Sequence, residues 1–210
     1  MQNMRLVYIH DPMCSWCYAF MPCWTALQTE LSIAVQYLLG GLAFDTTEPM
    51  PLATRKMVQQ AWQQIEKTVP GIRFNFDFWQ KNTPLRSTYP ACRAVLAAKK
   101  QDVTSEQRMI EAIQSAYYQK ARNPSLPETL HECAGEIGLD TNLFIKDLNS
   151  PCIRNELLHE IQLVRTMKVY SFPSLLLKHG DKSFPIIVDY LDHQKMLREI
   201  EETVQTIKNA

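Results

Sequence analysis

Short apolar runs open and close this chain, and helical spacing fills the long stretch between them. Leu6 to His10 is rich in strand-favouring residues and stops at Asp11-Pro12, which predicts a strand followed by a turn. From about Ser15 to Ser32, apolar positions including Tyr18, Trp24, Leu27 and Leu31 predict a helix. Pro22 should kink it, because proline removes a backbone donor and crowds the preceding turn. Ile33 to Leu39, ended by Gly40-Gly41, predicts a second strand. A β-α-β order of this length favours parallel strands joined by the helix.

The middle is helical throughout. Met57, Val58, Ala61, Trp62, Ile65 and Val69 line one face of a helix, and an aromatic loop, Phe74 to Trp79, follows. Further helices are predicted over Tyr89 to Lys100, Glu106 to Ala121, Pro127 to Gly138, Thr141 to Leu148 and Cys152 to Met167. Strands then return. Ser174 to Lys178 and Phe184 to Val188 flank His179-Gly180-Asp181 as a hairpin, and an amphipathic helix spans Asp192 to Ile207. The order is β-α-β, a block of helices, then β-β-α.

Composition narrows the function. The chain has 210 residues, 46% hydrophobic and 21% charged, with Lys+Arg and Asp+Glu both at 22. A formally neutral chain with no basic stripe argues against nucleic acid as the main partner. No apolar run is long enough to cross a bilayer, and Met1 to Arg5 leads straight into the first strand without the pattern of a secretory signal. A cytoplasmic protein with no membrane partner is the expectation. Six cysteines, at 14, 17, 23, 92, 133 and 152, are too few and too irregular for a disulfide scaffold.

Only Cys14 and Cys17 are spaced for joint chemistry. Structural zinc usually takes four ligands, and no second C-x-x-C or close Cys/His pair is available, so neither metal nor cofactor is expected. Redox chemistry fits better. Cys14 follows a strand and a Pro turn at the mouth of a helix, where unpaired amides and the helix dipole favour a thiolate. Cys17, one turn deeper, is placed to attack a mixed disulfide formed at Cys14. Cys14 is therefore expected to be the exposed nucleophile and Cys17 the resolving thiol.

DPMCSWCYAF at Asp11 to Phe20 resembles the active-site segment of the DsbA family of thioredoxin-like proteins, in its FrnE-like branch. LGGL at Leu39 to Leu42, YPACRAV at Tyr89 to Val95 and YSFPSLLL at Tyr170 to Leu177 extend the likeness over nearly the whole chain. It implies an α/β, thioredoxin-like fold interrupted by an all-helical insertion domain. Residues 1–48 and 168–210 would form the thioredoxin-like part, and 49–167 the insertion. It also implies a cis-proline loop at Phe172-Pro173, whose backbone would pair with an extended substrate peptide. Trp16, between the cysteines, either touches substrate or simply covers the site as a helix-start aromatic. The pair Ser15-Trp16 lacks the histidine of the strongly oxidising periplasmic members, and Ser171 stands where glycine is more usual. In a cytosolic thiol pool, disulfide reduction or isomerisation suits such a dithiol better than net oxidation.

Expected partners are protein or peptide thiols and disulfides, with glutathione as a further candidate; the oligomeric state is not legible. Two other readings share these residues. One is a glutathione-dependent isomerase or transferase resembling the kappa-class glutathione transferases, whose catalytic position usually lacks the second cysteine. The other is a redox-sensing chaperone or binding module. Cys23 and Cys92 are read as core residues, with Cys92 also a candidate for the active-site face. His10 is read as a strand-end histidine near enough to assist proton transfer. The aromatic cluster Phe74, Phe76, Phe78 and Trp79 fits either a peptide groove or a local core.

Overall fold

The computed structural model describes residues 4–209. Strand β1 (Met4–His10) runs parallel to β2 (Ala34–Leu39), with Arg5 opposite Ala34 and His10 opposite Leu39, and helix α1 (Ser15–Glu30) makes the crossover. β3 (Ser174–His179) lies antiparallel on the other side of β1, and β4 (Lys182–Ile186) is antiparallel to β3. The sheet order is β2-β1-β3-β4.

Central β1 needs both faces covered, and its alternation divides them. Leu6 and Tyr8 meet Phe20, Trp24 and Leu27 of α1, together with Met196 and Ile200 of α9 (His193–Lys208). Val7 and Ile9 face the opposite way, against Val164 of α8 (Pro151–Thr166). β1 therefore ends deep inside the molecule, and the turn that follows starts from buried ground.

Between β2 and β3 lie α2 (Leu52–Thr68), α3 (Phe78–Lys81), α4 (Tyr89–Gln101), α5 (Ser105–Gln114), α6 (Pro127–Glu136), α7 (Thr141–Leu148) and α8. The chain thus has the thioredoxin-like fold with its helical insertion. Asp140 and Ser150 cap α7 and α8 with their side chains. Among the described residues, no helix is long and apolar enough to cross a membrane.

Four local expectations change. The Phe74–Trp79 segment is not a groove-lining loop: Phe74, Phe78 and Trp79 are buried in the main core around Trp62, and Phe78 opens a short helix. Trp62 stacks on Phe74 at 4.8 Å between ring centroids, which fixes the segment by packing rather than by chain pattern. The helix expected over Glu106 to Ala121 widens into a π-helical stretch, Ser115–Gln119, and ends with Ala121 at φ 54°. The last strand sits two residues earlier than its apolar run, because Gly180 at φ 57° turns the hairpin tightly enough to pair His179 with Lys182. Finally, α1 stops at Glu30, short of Ser32, with Pro22 inside it.

Candidate active site

The turn from β1 into α1 is built by Asp11. Its backbone oxygen accepts from Cys14 N (3.0 Å) and its Oδ1 from Met13 N (2.8 Å), closing the chain into the helix start. Cys14 is the N-cap of α1, in an extended conformation, and its carbonyl accepts the first helical bond from Tyr18 N. Cys17 lies one turn in and is fully buried. All six cysteines are free thiols.

The Cys14 thiol is shifted below the ordinary range. The largest cause is a hydrogen bond from the Cys17 thiol; the Cys17 and Trp16 amides add to it, while burial and the Asp11 carboxylate oppose it. The helix start expected to ionise this sulfur therefore contributes, but its partner thiol contributes more. Cys17 moves the other way, well up, through burial first and then its bond to Cys14. One sulfur is set to attack and the other to hold the proton.

The expectation of an exposed Cys14 is corrected. Only 7% of it is accessible, because the cis-proline loop closes over it. The Phe172-Pro173 bond is cis, and the Phe172 carbonyl lies 3.5 Å from Cys14 Sγ, accepting from the thiol form. The Phe172 ring rests against Gly40, where an added Cβ would stand 2.0 Å from ring carbons. Gly40 N also donates to the His10 carbonyl at 2.7 Å. The two glycines after β2 are thus explained: Gly40 clears room for a bulky residue before the proline, and Gly41 supplies φ 61°. Trp16 is half-buried, edge-on to Tyr190 at 5.0 Å.

Three neighbours were not found as a group by sequence reading. Asp11 is fully buried, and its Oδ2 accepts from Leu42 N (2.7 Å), the Thr88 hydroxyl (2.6 Å) and the Cys92 thiol (3.5 Å). Burial nonetheless raises its pKa above the usual carboxylate range. Thr88 and Cys92 belong to the start of α4, so the insertion reaches the active-site turn through this carboxylate; Cys92 is both core residue and site neighbour. Burial, and then the neighbouring Cys17 and Cys14, hold the Tyr8 phenol well above its ordinary range, so it stays protonated. His10, fully buried and stacked on Tyr8 at 5.1 Å, has its pKa lowered to about 3 by burial and then by Lys99. It is neutral at working pH, and its Nε2 has no partner. Cys23 stays in the core, on the buried face of α1. On the far side of Gly40, Leu39 N donates to Glu160 (2.7 Å), whose pKa burial raises to about 7.

The accessible edge of Cys14 opens into a cavity of about 380 Å³. Met13, Trp16 and Phe172 line one side; Met50, Met57, Trp62 and Tyr117 line the other, with Arg86 among the loop residues before α4. The site thus lies between the thioredoxin-like part and the insertion. Among the described residues, no group of three or more His, Cys, Asp or Glu side chains is placed to hold a metal ion.

A family model described as Thioredoxin matches residues 7–184. Among solved structures, a Nitrosomonas europaea protein named as a candidate protein disulfide isomerase superposes with a TM-score of 0.86 at 25% identity, covering 98% of this chain and 99% of that one. The cytosolic disulfide reductase DsbM from Pseudomonas aeruginosa superposes at 0.77 and 23% identity, covering 96% and 99%; a second structure of it was solved with GSH. At that identity the likeness shows the fold. The ClpXP adapter protein SpxH of Halalkalibacterium halodurans is 25% identical over 176 residues, 79% of this chain and 56% of that protein. The chain spans about half the length of the curated relatives it matches.

Proposed function

The chain belongs to the thioredoxin family, and from that premise we propose that it is a thiol–disulfide oxidoreductase working as a protein-disulfide reductase or isomerase. The observation that carries this reading is the divergence of two adjacent thiols, Cys14 shifted down and Cys17 well up, beneath the cis Phe172-Pro173 loop. In the proposed cycle the Cys14 thiolate attacks a substrate disulfide. The S–S bond breaks, one substrate sulfur leaves and takes a proton, and the other stays bonded to Cys14. Cys17 gives up its proton and attacks Cys14 Sγ, releasing the second substrate thiol and leaving a Cys14–Cys17 disulfide. Two thiol equivalents, for which glutathione is a candidate, return the pair to the dithiol. Asp11 and Tyr8 hold the pair in place, while Trp16 and the Phe172-Pro173 backbone receive the substrate.

The division 1–48, 49–167 and 168–210 is part of the proposal, supported by the β-α-β, helical and β-β-α order. So is a cytoplasmic location, in line with the cytosolic reductase that shares the fold. Cys14→Ser is expected to abolish thiol-dependent reduction of insulin, and Cys17→Ser to accumulate mixed disulfides visible by mass spectrometry. Full activity of Cys14→Ser would overturn the reading. A client-binding adapter is the second reading, favoured by the likeness to SpxH; it predicts that client binding survives replacement of both cysteines by Ala.

A further inference from the structure

The cavity beside Cys14 points to a substrate class, and this inference rests on the oxidoreductase reading. Its volume, about 380 Å³, is at the small end for ligand sites. Its lining is dominated by Met, Trp, Leu and Tyr side chains, and Arg86 is the one charged residue on it. Arg86 is half-buried, and among the described residues no carboxylate forms an ion pair with it. A cation left unpaired in a largely apolar hollow calls for an anion, and a guanidinium suits a carboxylate in two-pronged geometry. The tight cover over Cys14 adds a second constraint. With 7% of that residue accessible, the sulfur it attacks has to enter the hollow, which a small thiol's half of a disulfide does directly. Outside, the rim carries Tyr170 and Met57, exposed at 70% and 55%, as apolar ground for a larger group.

We propose that this cavity holds a low-molecular-weight thiol bearing a free carboxylate, with Arg86 as the carboxylate's anchor and the thiol's sulfur over Cys14. The disulfide attacked is one in which that thiol is a half. The other half is either a second copy of the small thiol or a protein cysteine resting on the Tyr170–Met57 rim. The Cys14 thiolate attacks the small thiol's sulfur, and the other half leaves as a thiolate and takes a proton. Cys17 then displaces the small thiol from Cys14, leaving a Cys14–Cys17 disulfide, and an external dithiol, oxidised to its own disulfide, restores the two thiols, so that two electrons and two protons pass to the disulfide attacked.

The test supplies dithiothreitol as the reductant, with the uncatalysed rate subtracted, and uses three probes on wild type and Arg86→Met: oxidised glutathione, S-glutathionylated serum albumin, and cystamine, a small disulfide with no carboxylate. The ratio of kcat/KM for oxidised glutathione to that for cystamine is expected to fall at least tenfold in Arg86→Met. Wild type is expected to show the same tenfold preference for oxidised glutathione over its fully esterified form, a result that does not depend on the variant folding. A fall in the albumin-to-cystamine ratio as well extends the site to protein mixed disulfides; a fall confined to oxidised glutathione assigns it to the free small disulfide. Unchanged ratios together with equal use of the ester overturn the carboxylate site while leaving the oxidoreductase reading intact. Failure of wild type on all three probes while it still reduces insulin overturns the small-thiol site alone; failure on insulin as well removes both.

Discussion

The turn around Cys14 and the aromatic core around Trp62 are neighbours across one cavity, yet they are made of opposite materials. Around Trp62, Phe74, Phe78, Trp79, Tyr117 and Tyr118 meet at centroid separations between 4.4 and 6.0 Å and gain their stability from apolar burial. At the turn, His10, Asp11 and Thr88 are buried polar groups beside two cysteines, and all but Thr88 have shifted acidities. Burying such groups opposes folding unless each is well bonded. The core tolerates that cost at the turn because it lies on the same frame, and the turn holds a thiol shifted below its ordinary range.

Three experiments separate these regions. The largest effect is expected from Phe78→Ala, which empties a fully packed position away from the cavity lining. Loss of about 3–5 kcal/mol in denaturant unfolding is expected, with the Cys14 titration in the folded protein unmoved. A shift of that titration would show that the two regions are not independent.

Asp11→Asn should cost about 1–3 kcal/mol, since donors gathered on one carboxylate lose part of their acceptor. Because the Asp11 charge opposes ionisation of both thiols, the Cys14 titration should also move further down. Thiolate absorbance near 240 nm reads that shift, and an upward move would contradict the role given to Asp11.

The smallest effect concerns pH. His10 has a folded pKa of about 3 against an ordinary 6.5, so the unfolded chain takes up a proton that the folded one refuses. Stability on this account falls as pH drops from 6.5 toward 3, reaching a cost of about 1 kcal/mol near pH 5.5. Glu160 acts oppositely: its pKa, raised to about 7, withdraws stability as pH climbs from 4.5 to 7. Comparing wild type with His10→Phe isolates the histidine. The variant should gain relative stability below pH 6.5, and parallel curves would show His10 to be protonated in the fold.

Apolar spacing was enough to read the element order, because one buried face per helix and short runs per strand leave a periodic trace. β1, the crossover helix, the parallel pair and the hairpin were all legible in this way, as was the C-x-x-C pair at a helix start. Boundaries were not legible where tertiary packing overrode pattern, as in the short helix at Phe78 and the π-helical stretch at Ser115–Gln119. Asp11 read as half of a turn dipeptide, and nothing local announces that Leu42, Thr88 and Cys92 converge on it from 31, 77 and 81 residues away.

The chain's own order of residues determined which thiols stand together at a helix start and what kind of element carries them, since helix starts, turns and periodic faces are short-range properties. The fold decided how far that reactivity is tuned and who may approach it. Depth of burial, the clearance at Gly40 for Phe172 and the Arg86 guanidinium on the cavity wall all arise between segments distant in sequence. Electrostatic and steric effects act through space, and only the folded chain sets those distances.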